Sequence, residues 1–259
     1  MSRRAVAKTY KLYVGGKFAR SESGRSDAVA GANVPRGSRK DVRDAVKAAR
    51  GAQAGWAAKT AYNRGQVLYR FAEALESRSD GSDELGSAVD TLVHYAGWTD
   101  KLAAVMGGIN PVAASYLSFS VPEPTGVVAV LAPDEPDVLG LIREVAPALA
   151  AGNTVVAVVS RRSPLRSLDL GEVAGVSDLP RGTLNLLSGR MEELLAPLCG
   201  HRDVNAIVDA TGDPSLAATI DEHAAETVKR VSRPAADGGS LGRLEALVEL
   251  KTAWHPVGV

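Results

Sequence analysis

Cysteine is nearly absent from this sequence, net charge is absent altogether, and so is any long apolar run. The single cysteine, Cys199, excludes an intrachain disulfide and a cysteine-built zinc site. One thiol fits a reducing compartment. Lys plus Arg and Asp plus Glu each number 30. That balance leaves no electrostatic footprint for nucleic acid or for a membrane surface. No stretch approaches the roughly eighteen apolar residues that span a bilayer. Arg3, Arg4 and Lys8 are not followed by an apolar segment of signal-peptide length. The expectation is a soluble, cytoplasmic chain. Four histidines, His94, His201, His223 and His255, stand far apart without metal-pair spacing. The Gly-x-Gly-x-x-Gly fingerprint, a Walker-type loop and a Gly-x-Ser-x-Gly elbow are all missing.

What is present suffices for a substantial core: 259 residues, 45% of them hydrophobic, enough for one large domain or two modest ones. Residues 11–18 read as two short extended pieces around Gly15-Gly16, a tight-turn dipeptide. Ser38 begins a helix with Asp41 three positions on, the spacing of a capping box. Val42, Ala45, Val46 and Ala49 follow at helical spacing. A second amphipathic helix spans 61–77, a Ser/Asp/Gly-rich loop covers 79–83, and a third helix carries Leu85, Val89, Leu92 and Val93. The pattern changes near Ser115. Residues 116–121 alternate as an extended segment, and 126–131 form a continuous apolar run, as in a strand covered on both faces.

From there helix and strand signals take turns, with further strands expected at 154–159, 183–187, 204–208 and 227–231. Such alternation predicts an α/β fold, a Rossmann-like doubly wound parallel sheet of about five strands. The expected organisation is an N-terminal hairpin and helical region over 1–114, an arm strand over 115–125 and the Rossmann-like domain over 126–232. A linker over 233–245 and a C-terminal arm strand over 246–259 complete it.

Few residues offer chemistry. Gly189 and Gly212 sit at strand-to-helix junctions, where backbone N–H groups can receive a phosphate, although for a glycine alone a plain βα turn is the commoner case. Asp134 and Glu135 form a carboxylate pair where open α/β sheets place ligands, a position that also suits a solvated loop pair. Cys199 falls near a helix end just before Gly200, the opposite of the electropositive helix start that activates a thiol.

At this point the motifs converge. Leu12-Tyr13-Val14-Gly15-Gly16-Lys17-Phe18, Glu123-Pro124-Thr125-Gly126-Val127-Val128 and Pro147-Ala148-Leu149-Ala150-Ala151-Gly152-Asn153-Thr154-Val155-Val156 resemble the NAD(P)-dependent aldehyde dehydrogenase superfamily. Leu179-Pro180-Arg181-Gly182-Thr183-Leu184-Asn185 and Ser188-Gly189 continue the likeness. The resemblance implies NAD or NADP as cofactor, with Pro133, Ser160, Arg161, Gly189 and Gly212 at the positions that meet it.

The departures are equally specific. The family has Pro-Trp-Asn after its first nucleotide-fold strand, the asparagine donating to the oxyanion. Here the stretch is Pro133-Asp134-Glu135, and a carboxylate repels an oxyanion. The family's Lys-Pro-x-Glu, which holds the adenosine ribose or phosphate, is matched by Val158-Val159-Ser160-Arg161, which lacks two polar cofactor contacts, although its arginine suits a phosphate-bearing ligand. Its Phe-Thr-Gly-Ser turn corresponds to Asp209-Ala210-Thr211-Gly212, and its general-base glutamate falls near Arg233-Pro234-Ala235. No residue in this chain matches the nucleophilic cysteine or the second cofactor-binding glutamate, so no catalytic residue and no metal ligand is assigned. The linker leads directly to a segment resembling the family's last strand, which predicts an internal deletion. The resemblance implies that the strands from Tyr116 to Val121 and from Glu249 to Trp254 form an oligomerisation arm. The expected partner is a full-length aldehyde dehydrogenase or a second copy of this chain. Two other readings remain: an NAD(P)-dependent aldehyde oxidoreductase, and a non-catalytic nucleotide-binding module.

Overall fold

The computed structural model describes residues 6–235 and 240–258. Two hairpins open the chain, β1 (Leu12–Val14) with β2 (Lys17–Ala19), and β3 (Ser26–Val29) with β4 (Ala32–Pro35). Helices α1 (Arg39–Ala57), α2 (Ala61–Glu76), α3 (Asp83–Trp98) and α4 (Leu102–Met106) follow, then strands β5 (Gly108–Asn110) and β6 (Tyr116–Pro124). The alternating part runs β7 (Val127–Leu131), α5 (Asp137–Ala150), β8 (Thr154–Val158), α6 (Pro164–Ala174), β9 (Leu184–Leu187), α7 (Met191–Cys199), β10 (Ala206–Asp209), α8 (Pro214–Ala225) and β11 (Arg230–Ser232). Helix α9 (Ser240–Glu245) and strand β12 (Val248–Pro256) close the chain.

The first helix forms as its pattern predicts. Ser38 is its N-cap, and the Asp41 carboxylate accepts the Ser38 N–H at 2.8 Å, satisfying a donor that the helix leaves open. The same carboxylate accepts from Ser21 Oγ at 3.0 Å and Glu22 N at 3.1 Å, which pins the preceding strand connection to the helix start. Val42, Ala45, Val46, Ala49 and Trp56 face inward and are buried.

One sheet organises the molecule, in the order β11-β10-β7-β8-β9-β1-β2. The strands from β11 to β9 are parallel. The opening hairpin extends that sheet, because Tyr13 of β1 pairs antiparallel with Leu186 of β9. The parallel sheet is therefore as expected, and the first hairpin becomes its antiparallel edge instead of a separate element. Residues alternate between the two faces. Val128, Val130, Val155 and Ala157 enter the core beneath α2, α3, α5 and α6. Val127, Ala129, Leu131, Val156 and Val158 enter the core beneath α1, α7 and α8. Each face needs its own apolar residues, which is why β7 and β8 read as unbroken hydrophobic runs.

Three boundaries differ from the sequence expectation. The stretch expected as a strand over 227–231 starts only at Arg230, since Thr227, Val228 and Lys229 bond back to the last turn of α8. The strand expected over 204–208 is β10, shifted because Val204 N–H closes a turn on His201. The linker expected over 233–245 contains helix α9, whose Leu244 is fully buried; positions 236–239 of that linker lie outside the described residues.

A second, three-stranded sheet of order β12-β6-β5 stands apart from the first. In it β6 and β12 pair over nine residues each, from Val248 opposite Pro124 to Pro256 opposite Tyr116. The segments expected to be extended at 116–121 and 249–254 pair with each other in this sheet, each longer than expected, and β5 joins them.

Candidate functional site

In the main sheet the strand order reverses between β7 and β10: the chain moves outward from β7 to β8 and β9, then returns to β10 on the other side. Ligands of open α/β sheets bind in the crevice beyond the carboxyl ends at such a reversal. A cleft of about 590 Å³ lies there, lined by Pro133 after β7, Gly140 and Arg143 of α5, Gly212 and Pro214 at the start of α8, and Pro234. Pro133 and Gly212 of the expected cofactor contacts thus line one cleft.

Ser160 and Arg161 lie beside it, at the end of β8, and are turned onto the chain itself. Ser160 Oγ donates to the Asp134 carbonyl at 3.0 Å and accepts from Ser163 N at 2.9 Å. Arg161 donates through Nη2 at 2.8 Å and Nε at 3.2 Å to Asp134 Oδ2, and its backbone N–H reaches Asp134 Oδ1 at 2.9 Å. Its Nη1 reaches across to Asp213 Oδ2 at 3.5 Å. Burial pushes the Asp134 pKa up, but the hydrogen bonds and charge of Arg161 more than reverse that, leaving it below the ordinary carboxylate value. The Asp213 carboxyl is also lowered, by its hydrogen bonds from Ser215 and then by Arg161.

Gly189 is placed elsewhere. It adopts φ +150°, and a Cβ there would sit 2.9 Å from the Gly37 nitrogen, whose N–H bonds Ser188 O at 2.7 Å. Its lack of a side chain serves the contact between the β9–α7 connection and the segment before α1, and it is not among the residues lining the cleft.

The turn into α8 contains Gly212 at φ +63°, a left-handed conformation that suits glycine. Around it the backbone donors are already engaged. Thr211 N and Thr211 Oγ1 donate to Asp209 Oδ1 at 3.2 and 2.6 Å, and Asp213 N donates to Thr211 Oγ1 at 3.3 Å. Ser215 N donates to the capping Asp213 Oδ1 at 3.0 Å, and Leu216 N to the Asp213 carbonyl at 3.1 Å. Pro214 has no N–H. The second Asp209 oxygen accepts from Arg233 Nε at 3.0 Å, and Arg233 Nη2 bonds Asp221 at 2.7 Å. Arg233 stands where the resemblance places the general base, beside Pro234, and neither takes up a proton at neutral pH.

Two features of the cleft were not legible in the sequence. Glu144, a lone carboxylate on the apolar inner face of α5, pairs with Arg243 of α9 at 3.2 Å, with side chains only 6% and 9% exposed. The charged position within an apolar helix was the available signal; its partner lay 99 residues away. The second is Arg143, which lines the cleft next to Glu144 with no ion-pair partner among the described residues. Cys199 is fully buried at the end of α7, and burial pushes its thiol up to about 12, the reverse of an activated nucleophile. Among the described residues no group of three or more His, Cys, Asp or Glu could hold a metal ion, and no helix is long and apolar enough to cross a membrane.

The fold and cleft define a doubly wound, Rossmann-like α/β protein carrying a separate three-stranded sheet. A profile described as the aldehyde dehydrogenase family matches residues 23–234, and the chain belongs to that family. The mitochondrial aldehyde dehydrogenase family 2 member B4 of Arabidopsis thaliana is 31% identical over 223 residues, covering 76% of this chain and 41% of that protein. Human aldehyde dehydrogenase 1A1 is 30% identical over 220 residues, covering 77% and 43%. The Bacillus cereus aldehyde dehydrogenase solved as an NAD+ complex superposes with a TM-score of 0.81 at 25% identity, over 86% of this chain and 50% of that one. The chain thus spans about half the length of the relatives it matches.

Proposed function

We propose that this chain is a non-catalytic member of the aldehyde dehydrogenase family that acts as a partner or regulatory subunit of a full-length aldehyde dehydrogenase, docking through its arm. One contrast carries the reading: the residues at the chemical positions are unsuited to the reaction, while β6 and β12 pair over nine residues in a separate sheet that suits an arm. Asp134 and Glu135 stand where an oxyanion would need a donor, Arg233 and Pro234 where a base would be needed, and the sole cysteine is inert.

The arm has the properties of an interface. Strand β12 pairs only with β6 among the described residues, so beyond Val248, whose carbonyl accepts from Arg230 Nη1 at 3.2 Å, one side of the strand is an open edge. Its Leu250 is 56% exposed and its Trp254 61%. Trp254 stacks edge-on with Tyr116, ring centroids 6.0 Å apart, and Ile109 on β5 is also largely exposed. Addition of a partner strand to such an edge supplies backbone hydrogen bonds, and exposed aromatic and aliphatic side chains supply the buried anchors.

The test is co-expression with full-length relatives from the same source, followed by size-exclusion chromatography with light scattering. A stable mixed complex is expected. A chain that stays apart from all of them refutes the partner role, and NAD(P)-dependent aldehyde oxidation by the purified chain alone refutes the non-catalytic one.

A further inference from the structure

The donors and cations around the cleft are numerous, and almost every one is consumed inside the chain. Arg161, at the end of β8, spans from Asp134 beyond β7 to Asp213 at the start of α8, so its guanidinium bridges the crevice between two carboxylates. Arg233, on the far side, is held between Asp209 and Asp221. The α8 start, whose N–H groups and dipole would attract an anion, is capped by Asp213 and tied to Asp209 through Thr211. Of the N–H groups in that turn, only that of Gly212 lacks an acceptor among the described residues. Apart from that one N–H, a phosphate entering here would have to displace a carboxylate to reach Arg161, Arg233 or the Ser215 N–H. It would also face the full negative charge of the displaced groups at short range.

We infer that this crevice is an anion site occupied by the protein's own carboxylates. Asp134 and Asp213 take the place of phosphate oxygens against Arg161 and the α8 start, and the cleft is thereby closed to NAD, NADP and other pyrophosphate ligands. The geometry is that of an internal mimic: a bidentate guanidinium–carboxylate pair, a capping carboxylate on a helix N-terminus, and one arginine joining the two. Raised pKa values of Arg161, from its hydrogen bond to Asp134, and of Arg233, from that to Asp221, agree with cations already satisfied. Arg143, which lines the cleft without an ion-pair partner among the described residues, lies beside the Glu144 carboxylate and does not by itself make a phosphate cradle. The inference is independent of whether the arm docks on a partner.

The prediction is a gain of binding. The full chain is titrated with sodium pyrophosphate, ADP and NAD+ by calorimetry and by thermal shift, because a ligand bound only to the folded state must stabilise it. The unaltered chain is expected to show no heat and no shift at millimolar ligand. The double variant Asp134→Asn, Asp213→Ser keeps an acceptor for the Arg161 N–H and a competent N-cap. It is expected to bind pyrophosphate at least tenfold more tightly than the unaltered chain, with a gain that weakens in salt and disappears when Arg161→Met is added. Pyrophosphate or NAD+ binding by the unaltered chain as tight as that of the variant overturns the inference. So does a variant of native circular dichroism that gains nothing. Should the double variant not fold, Asp213→Ser alone, which frees Arg161 Nη1 while preserving the cap, is held to the same gain on a threefold scale, and absence of that gain overturns the inference equally.

Discussion

Replacing Arg243 with methionine tests how the C-terminal segment is locked onto the nucleotide fold. Arg243 projects from α9, immediately before β12, and its Nε lies 3.2 and 3.4 Å from the two oxygens of Glu144 on α5. Its Nη2 also donates to the Ala235 carbonyl at 2.9 Å. With the Glu144 side chain 6% exposed, water cannot replace the guanidinium. Removing one member of such a pair leaves a buried charge uncompensated and costs about 3–5 kcal/mol. For a domain of this size that lowers Tm by on the order of 10 °C. The sign of its pH dependence follows from Glu144. Burial raises its pKa and Arg243 opposes the rise, the net being upward; without Arg243 the rise is larger. A carboxyl with a folded pKa above its unfolded value disfavours the fold once ionised, so the cost is present in full above the folded pKa and fades as pH falls through it. Urea unfolding at pH 7.5 and pH 5 reads both effects. The double variant Glu144→Met, Arg243→Met is expected within about 1 kcal/mol of the parent, since apolar replacement of a buried pair is close to neutral. A single-variant loss below about 1 kcal/mol with an unchanged m-value, or a loss that does not shrink at pH 5, refutes the account.

Three further outcomes follow from other parts of the molecule. Trp254→Ser with Leu250→Ser should abolish mixed-complex formation while shifting Tm by no more than a few degrees, because both side chains are more than half exposed; retention of the complex on a sizing column would place the interface elsewhere. Cys199 should resist a thiol reagent in the native state and react fully in denaturant, as expected of a buried thiol with a pKa near 12; a fast native reaction would contradict the buried placement. Asp134 has a folded pKa below its unfolded value, so its contribution is present above the ordinary carboxylate pKa and lost as pH falls through the folded one. Asp134→Asn should therefore flatten the acid limb of the stability curve below about pH 4, and an unchanged limb in calorimetric scans would show that the pair with Arg161 contributes nothing.

Local pattern and pair distance explain which features were legible. The capping box at Ser38 and Asp41, the helix over residues 61–77 and the apolar strands β7 and β8 depend on neighbours in the chain, and they formed where the periodicity placed them. The second hairpin, β3 with β4, leaves little periodic signal because its strands, Ser26–Val29 and Ala32–Pro35, are only four residues each. Helix α9 carries the composition of a linker because glycines precede it and one lies within it. Leu244 is nonetheless buried, and the helix is fixed by a partner on α5. Gly189 shows the same limit: a glycine after a strand suits a phosphate or a close packing contact equally well, and only the approach of Gly37 decides between them.

By itself the sequence determined the alternating α/β order, the extended character of the segments at 116–121 and 249–254, the family likeness and the residue types at each chemical position. These are properties of local spacing and of side-chain chemistry, which a chain carries before it folds. Tertiary structure alone decided that the opening hairpin joins the main sheet and that Arg161 binds Asp134 and Asp213 across the reversal point. It also decided that Asp209 is held by Arg233, and that Glu144 meets Arg243. Those contacts join residues 24 to 173 positions apart and are set by sheet order and helix packing, so the charges among them read as site chemistry in the sequence and as internal pairs in the fold.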